Sequence, residues 1–209
     1  MKFENAYKGI HKLFTSESLY IISTMLSFGA SIVMQQNEGA SMTDENYLLM
    51  TSLGLLLAAG VISLIALVIR LIGLNQARRD ESQFKPALQF VIVGMVTTAI
   101  SMFTAGTFSD IFSGIAAVAN LLVSVYTILG VYCLAYRLDN KKVQTSGKIV
   151  MFVAAAFFTF AVISRMISIF TPVLNDSLDI VSYALDFIGH LAFIIYLSQA
   201  KVMLTETAA

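Results

Sequence analysis

Five polar side chains in this 209-residue sequence have the type and setting to do chemistry: Arg165, Asp186, His190, Asn120 and Tyr126. All five interrupt runs of apolar residues. Arg165 and Asp186 flank an acidic turn at 172–179, six residues before Thr171 and seven after Asp179. In two antiparallel helices this puts both charges at one depth, roughly 10 Å inside the turn at about 1.5 Å per residue. The pair can act as a structural ion pair that neutralises both charges and locks the hairpin's register. It can equally line a polar cavity and bind the carboxylate, phosphate or amine of a ligand. His190 follows Asp186 by one turn on the same helix face. It suits an interhelical hydrogen bond or a proton relay, because imidazole titrates nearest neutral pH. Two residues are too few to ligate a metal. The only other histidine, His11, lies near the N-terminus, so no second axial haem ligand exists at that depth, and no cofactor is expected. Asn120 belongs to a small, polar stripe of Ser113, Ala117, Asn120 and Ser124, with Tyr126 and Thr127 beside it. Small residues let helices approach and Asn can bond across them. Asn120 is about as deep as His190. If their helices adjoin, the five side chains converge on one half-buried pocket.

The elements that must carry these residues follow from composition. The chain is 57% hydrophobic and 12% charged, with a mean hydropathy of +0.80. Soluble domains carry roughly 25% charged residues. So large a deficit indicates lipid as the solvent. Apolar segments at 18–36, 47–74, 86–106, 110–136, 149–171 and 179–200 each approach the ~20 residues a span needs. The expected fold is an all-α integral membrane protein, a six-transmembrane-helix bundle forming one domain over 16–201. Ahead of it, residues 1–15 place Phe3, Ala6, Tyr7, Ile10, Leu13 and Phe14 on one helical face, with Lys2, Glu4, Asn5, Lys8, His11 and Lys12 opposite. That pattern suits an amphipathic helix lying in the headgroup layer. Ser16 is placed to cap the next helix, with Glu17 in its first turn. Residues 202–209 form a short tail. The single cysteine, Cys133, excludes an intramolecular disulfide, and the charged N-terminus does not read as a signal peptide.

Charge placement orients the bundle. Lys2, Lys8, Lys12, then Arg78, Arg79, Lys85, then Arg137, Lys141, Lys142, Lys148, and finally Lys201 occupy alternate connections. The other connections hold Glu38, Asp44, Glu45, Asp110, Asp176 and Asp179 and no Lys or Arg. The positive-inside rule makes both termini cytoplasmic, and minimal loops suit a bacterial cytoplasmic membrane. Tyr20, Tyr132, Tyr136 and Tyr196 fall at inner boundaries, and Tyr47 and Tyr183 at outer ones, as in an aromatic belt.

An internal likeness links Ile100–Thr104 with Ile167–Thr171, each followed by Asp-Ile. Another links Leu74–Arg78 with Leu197–Lys201. Both suggest three tandem helical hairpins repeated about the membrane normal. Gly54, Ala58, Ala59, Gly60 and Ser63 in the second span and Gly94 in the third read as packing contacts. In plan, the chain is similar to the substrate-capturing subunits of energy-coupling-factor importers, an architectural likeness that no residue motif carries.

No Gly-x-Ser-x-Gly elbow, His-Glu-x-x-His, P-loop or Gly-x-Gly-x-x-Gly is present. The first expectation is therefore small-molecule binding or transport through a polar pocket in the outer half of the bundle. The alternative is a non-catalytic subunit, sensor or assembly factor binding another membrane protein. An enzyme acting on lipid or quinone through His190 and Asp186 comes last. The lipid bilayer is the expected partner of the basic segments, and nucleic acid is not.

Overall fold

The computed structural model describes the backbone of residues 3–35, 42–170 and 175–206. Within these, side chains are described except at 35, 42–46, 107, 110, 161–170, 175–184 and 186. The elements are α1 Glu4–Gln35, α2 Met42–Ala77, α3 Phe84–Phe103, α4 Thr107–Arg137, α5 Lys141–Phe170 and α6 Asn175–Glu206. Among the described residues there is no strand, and six helices are long and apolar enough to cross a membrane. This is the pattern of a multi-pass membrane protein.

The helices differ from the expected segments where polar residues extend them. Residues 1–15 form no separate element, because α1 runs unbroken through Thr15 and Ser16. The stripe residues Ala6, Ile10 and Leu13 are buried by protein. Ser16 does not cap; its hydroxyl donates to the Ala66 carbonyl, 2.7 Å away. Lys141–Lys148 is the first two turns of α5, and the tail is helical to Glu206.

The chain divides into two compact units, Lys12–Arg70 and Met1–His11 with Leu71–Ala209. The smaller unit is an antiparallel helix pair built on small residues. Ser16 and Ser23 of α1 donate to the main-chain carbonyls of Ala66 and Ala59 in α2, at 2.7 and 2.9 Å, and the Ser23 and Ser63 hydroxyls lie 2.7 Å apart. Ala30 and Ser52, one heptad further along each helix, are fully buried. A seven-residue repeat of small side chains keeps one narrow seam facing its partner. It also brings the backbones close enough for a hydroxyl to reach across. Gly54, Ala58 and Gly60, expected at a packing face, lie outside this seam: the two glycines have open space beside them and Ala58 is exposed. The apolar faces of both helices, including Phe28, Leu57 and Leu64, point away from it.

In the larger unit, α3 and α4 form an antiparallel hairpin of constant register. Phe84 lies over Gly130, Phe90 stacks on Tyr126 with ring centroids 5.7 Å apart, and Gly94 meets Ala119 and Asn120. The α4–α5 junction is set by three residues. Asn140 N–H bonds to Ala135 O at 2.9 Å and Asp139 N–H to Tyr136 O at 3.2 Å, the two bonds of a Schellman stop. Asp139 takes the left-handed conformation, φ 50°, that this stop requires. Asn140 then caps α5, its Oδ1 accepting from Val143 N–H at 3.1 Å. α5 and α6 pair antiparallel through Gly147 with Tyr196 and Phe157 with Gly189. The largest buried side chains of this unit, Tyr196, Phe84, Ile10, Leu74, Ile128, Leu134, Leu197 and Leu204, gather at the basic ends of the helices.

Candidate functional site

The arrangement of α4 against α5 and α6 decides what the polar stripe can do. α5 turns back on α4 and α6 turns back on α5, so α4 and α6 run in the same direction. They are clasped at Tyr196. This ring is 1% exposed, and its hydroxyl donates to the Ile128 carbonyl of α4 at 3.3 Å. On α5 the clasp needs a glycine: a Cβ on Gly147 would sit 2.6 Å from the Tyr196 hydroxyl.

Along α4, the face that carries Ile128, Val131 and Ala135 is closed, all three side chains being buried. Residues Ser124, Asn120, Ala117 and Ser113 continue that face toward the N-terminus of α4 in steps of three and four. There it opens: Ser124 and Ser113 are half-buried, and Ala117 and Asn120 are exposed. Asn120 lies eight residues before Ile128, about 12 Å along the helix. His190 lies six residues before Tyr196 on α6, about 9 Å.

The structure brings Asn120 and Tyr126 to one neighbour, α3, where Asn120 Oδ1 comes within 3.5 Å of a Cβ built on Gly94 and Tyr126 stacks on Phe90. Gly94 is thus the packing contact its setting suggested. His190 is half-buried on α6, next in sequence to Gly189, which packs on Phe157 of α5. The side chains of Arg165 and Asp186 lie outside the described residues, as does the turn 171–174. Among the described residues no group of three or more His, Cys, Asp or Glu could hold a metal.

Two ion pairs were not anticipated. In the smaller unit Arg70 Nη2 lies 3.0 Å from Glu17 Oε1, with side-chain exposures of only 11% and 1%. The Arg70 guanidinium also stands 5.6 Å from the centroid of the Tyr20 ring. Glu17 therefore serves α2 across the hairpin and not the first turn of a helix. The available signal was Arg70 itself, a lone cation in the run Val61–Leu74.

In the larger unit Glu81, 2% exposed, meets Arg137 Nη2 at 3.1 Å. Its neighbour Asp80 accepts from Ala6 N–H at 2.8 Å and from Asn5 Nδ2 at 3.0 Å. A carboxylate supplied by the 78–83 connection thus caps α1 at its positive end. No local motif near residue 4 could have disclosed a cap supplied from residue 80.

No protein-family model, curated protein or solved structure matches the chain. The fold is all-helical among the described residues, with six helices long and apolar enough to cross a membrane, the pattern of a multi-pass membrane protein.

Proposed function

We propose that this is a non-catalytic multi-pass membrane protein that binds or transports a small molecule in the outer half of its larger unit. Insertion puts both termini and the basic connections in the cytoplasm, and the matched helix ends fit three tandem hairpins. One observation carries the reading: the α4 face that Tyr196 closes at the basic end is open further out, where its residues become Ser124, Asn120, Ala117 and Ser113. An exposed amide in mid-span gains most from a polar partner, because lipid tails offer it none. Asn120 is the central ligand contact, with Tyr126 and His190 at its margins. Arg165 and Asp186, at one depth in the sequence, supply the charge for a polar solute. The same stripe suits a partner helix, which is the second reading.

Native mass spectrometry of gently extracted protein separates the two. A bound small molecule that Asn120→Leu removes, with the fold intact, supports the proposal. A stoichiometric protein partner lost in the same variant supports the second reading. A wild-type spectrum of bare protein and lipid alone counts against both.

A further inference from the structure

The larger unit carries a basic face whose charge is greater than its sequence suggests. In the 78–85 segment, Arg78, Arg79 and Lys85 alternate with Asp80 and Glu81, which read as a nearly balanced loop. The structure engages both acids elsewhere, Asp80 half-buried and Glu81 buried. Asp80 is committed to the N-terminus of α1, and Glu81 is buried against Arg137. Arg78, Arg79 and Lys85 stay exposed with no carboxylate partner among the described residues. The Glu81–Arg137 pair also joins this segment to the end of α4. Four residues later α5 begins with Lys141 and Lys142, both exposed and likewise without a carboxylate partner among the described residues. On the α4–α5 side the only exposed acid among the described residues is Asp139.

The surface bordering this face is amphipathic. Tyr136 precedes Arg137 and is exposed. Lys148 stands 6.0 Å from the centroid of the Tyr132 ring. Beyond Lys148 come exposed Ile149 and Phe152. Cations, then tyrosines, then aliphatic and aromatic side chains is the order in which headgroup, interface and acyl chain succeed one another. An acidic protein or a nucleic acid would use the cations and leave the apolar border without a partner.

We infer that Arg78, Arg79, Lys85, Lys141 and Lys142 form one docking face for the anionic phospholipid headgroups of the adjoining leaflet. This rests on the membrane reading of the six helices and not on any ligand at Asn120. A Lys or Arg at an anionic surface contributes roughly a fivefold gain in affinity, so a pair contributes about 25-fold.

The test uses the full chain in a neutral detergent. It is titrated with dioleoylphosphatidylglycerol or dioleoylphosphatidylcholine and read by native mass spectrometry and thermal stability. The anionic lipid is expected to be retained selectively, with binding that weakens as salt rises. Lys141→Gln/Lys142→Gln and Arg78→Gln/Arg79→Gln should each lower its affinity about 25-fold, with lipid-free melting temperatures unchanged. Lys8→Gln, whose ammonium is paired with Glu4, and Asn120→Leu should bind the lipid as wild type does. Soluble glycerol phosphate should not compete at millimolar concentration.

Equal retention of both lipids overturns the inference. So does wild-type affinity in both double variants, since the cations would then serve orientation alone. Effective competition by glycerol phosphate would make the site one for a free phosphate and not for a membrane.

Discussion

Replacing Gly147 by alanine tests the clasp on which the α4–α5–α6 arrangement depends. The added Cβ would meet Tyr196 Oη at 2.6 Å, Cζ at 3.1 Å and Cε2 at 3.3 Å. Ordinary contact lies between 3.4 and 4 Å, so the phenol must retreat by about an ångström. It cannot do so freely, because the ring is buried and its hydroxyl is held on Ile128. Overpacking of this kind costs about 1–3 kcal/mol. For a chain of this size that lowers Tm by roughly 2–4 °C per kcal/mol. Tyr196→Phe alone loses one neutral hydrogen bond, worth about 0.5–1.5 kcal/mol. The low end applies, because the Ile128 carbonyl sits inside α4 and keeps its helical partner. In the double variant the shortest contact has gone and only the ring carbons need adjust. The double variant should therefore be more stable than the sum of the single effects by about 1–2 kcal/mol. Cys133, half-buried and the only cysteine, gives the assay: thermal unfolding in detergent followed by labelling with a thiol-reactive fluorophore. An unchanged Tm for Gly147→Ala, or strictly additive effects, would refute the clasp.

Three further outcomes follow from the pairings. Glu17→Gln and Arg70→Gln should each destabilise by about 3–5 kcal/mol, because each leaves a buried charge unpaired. Glu17→Met/Arg70→Met should recover most of that loss in the same unfolding assay. Asp80→Ala should cost about 1 kcal/mol through the lost cap on α1, visible as faster amide exchange confined to residues 4–7. Reporter fusions at residues 105 and 174 and at the C-terminus check orientation: a periplasm-dependent enzyme should be active at the first two sites only, and activity at the C-terminus would reverse the assignment.

Much of the helical layout was legible in the sequence. Apolar run length located six helices, and missed their ends where polar residues extend them. Asp-Asn at 139–140 makes a Schellman stop and a cap within the three-residue connection 138–140, so Lys141–Lys148 is helix although its charges read as loop. Ser16 reads as a cap from its neighbours and is instead a hydrogen-bond donor across a hairpin. The amphipathic start of the chain was legible as a pattern, but whether lipid or protein covers Ala6 and Ile10 depends on what folds back onto them. The candidate site was legible only as a roll of polar residues. Asn120 and Tyr126 do meet a common neighbour, α3.

Composition and run length by themselves determined the class, because the free energy of moving side chains from water to an apolar medium accumulates along the chain, residue by residue. Charge order along the chain set the expected orientation separately, through the bias of Lys and Arg toward the cytoplasmic side. Only the tertiary structure decided which charges meet. Glu17 finds Arg70, Asp80 finds the first turn of α1, Glu81 finds Arg137, and the Tyr196 hydroxyl finds Ile128. Each pairing depends on the register and rotation of two helices, which are fixed by small residues at their contacts. A shift of one residue turns a helical side chain by about 100°, enough to exchange a buried partner for open surface.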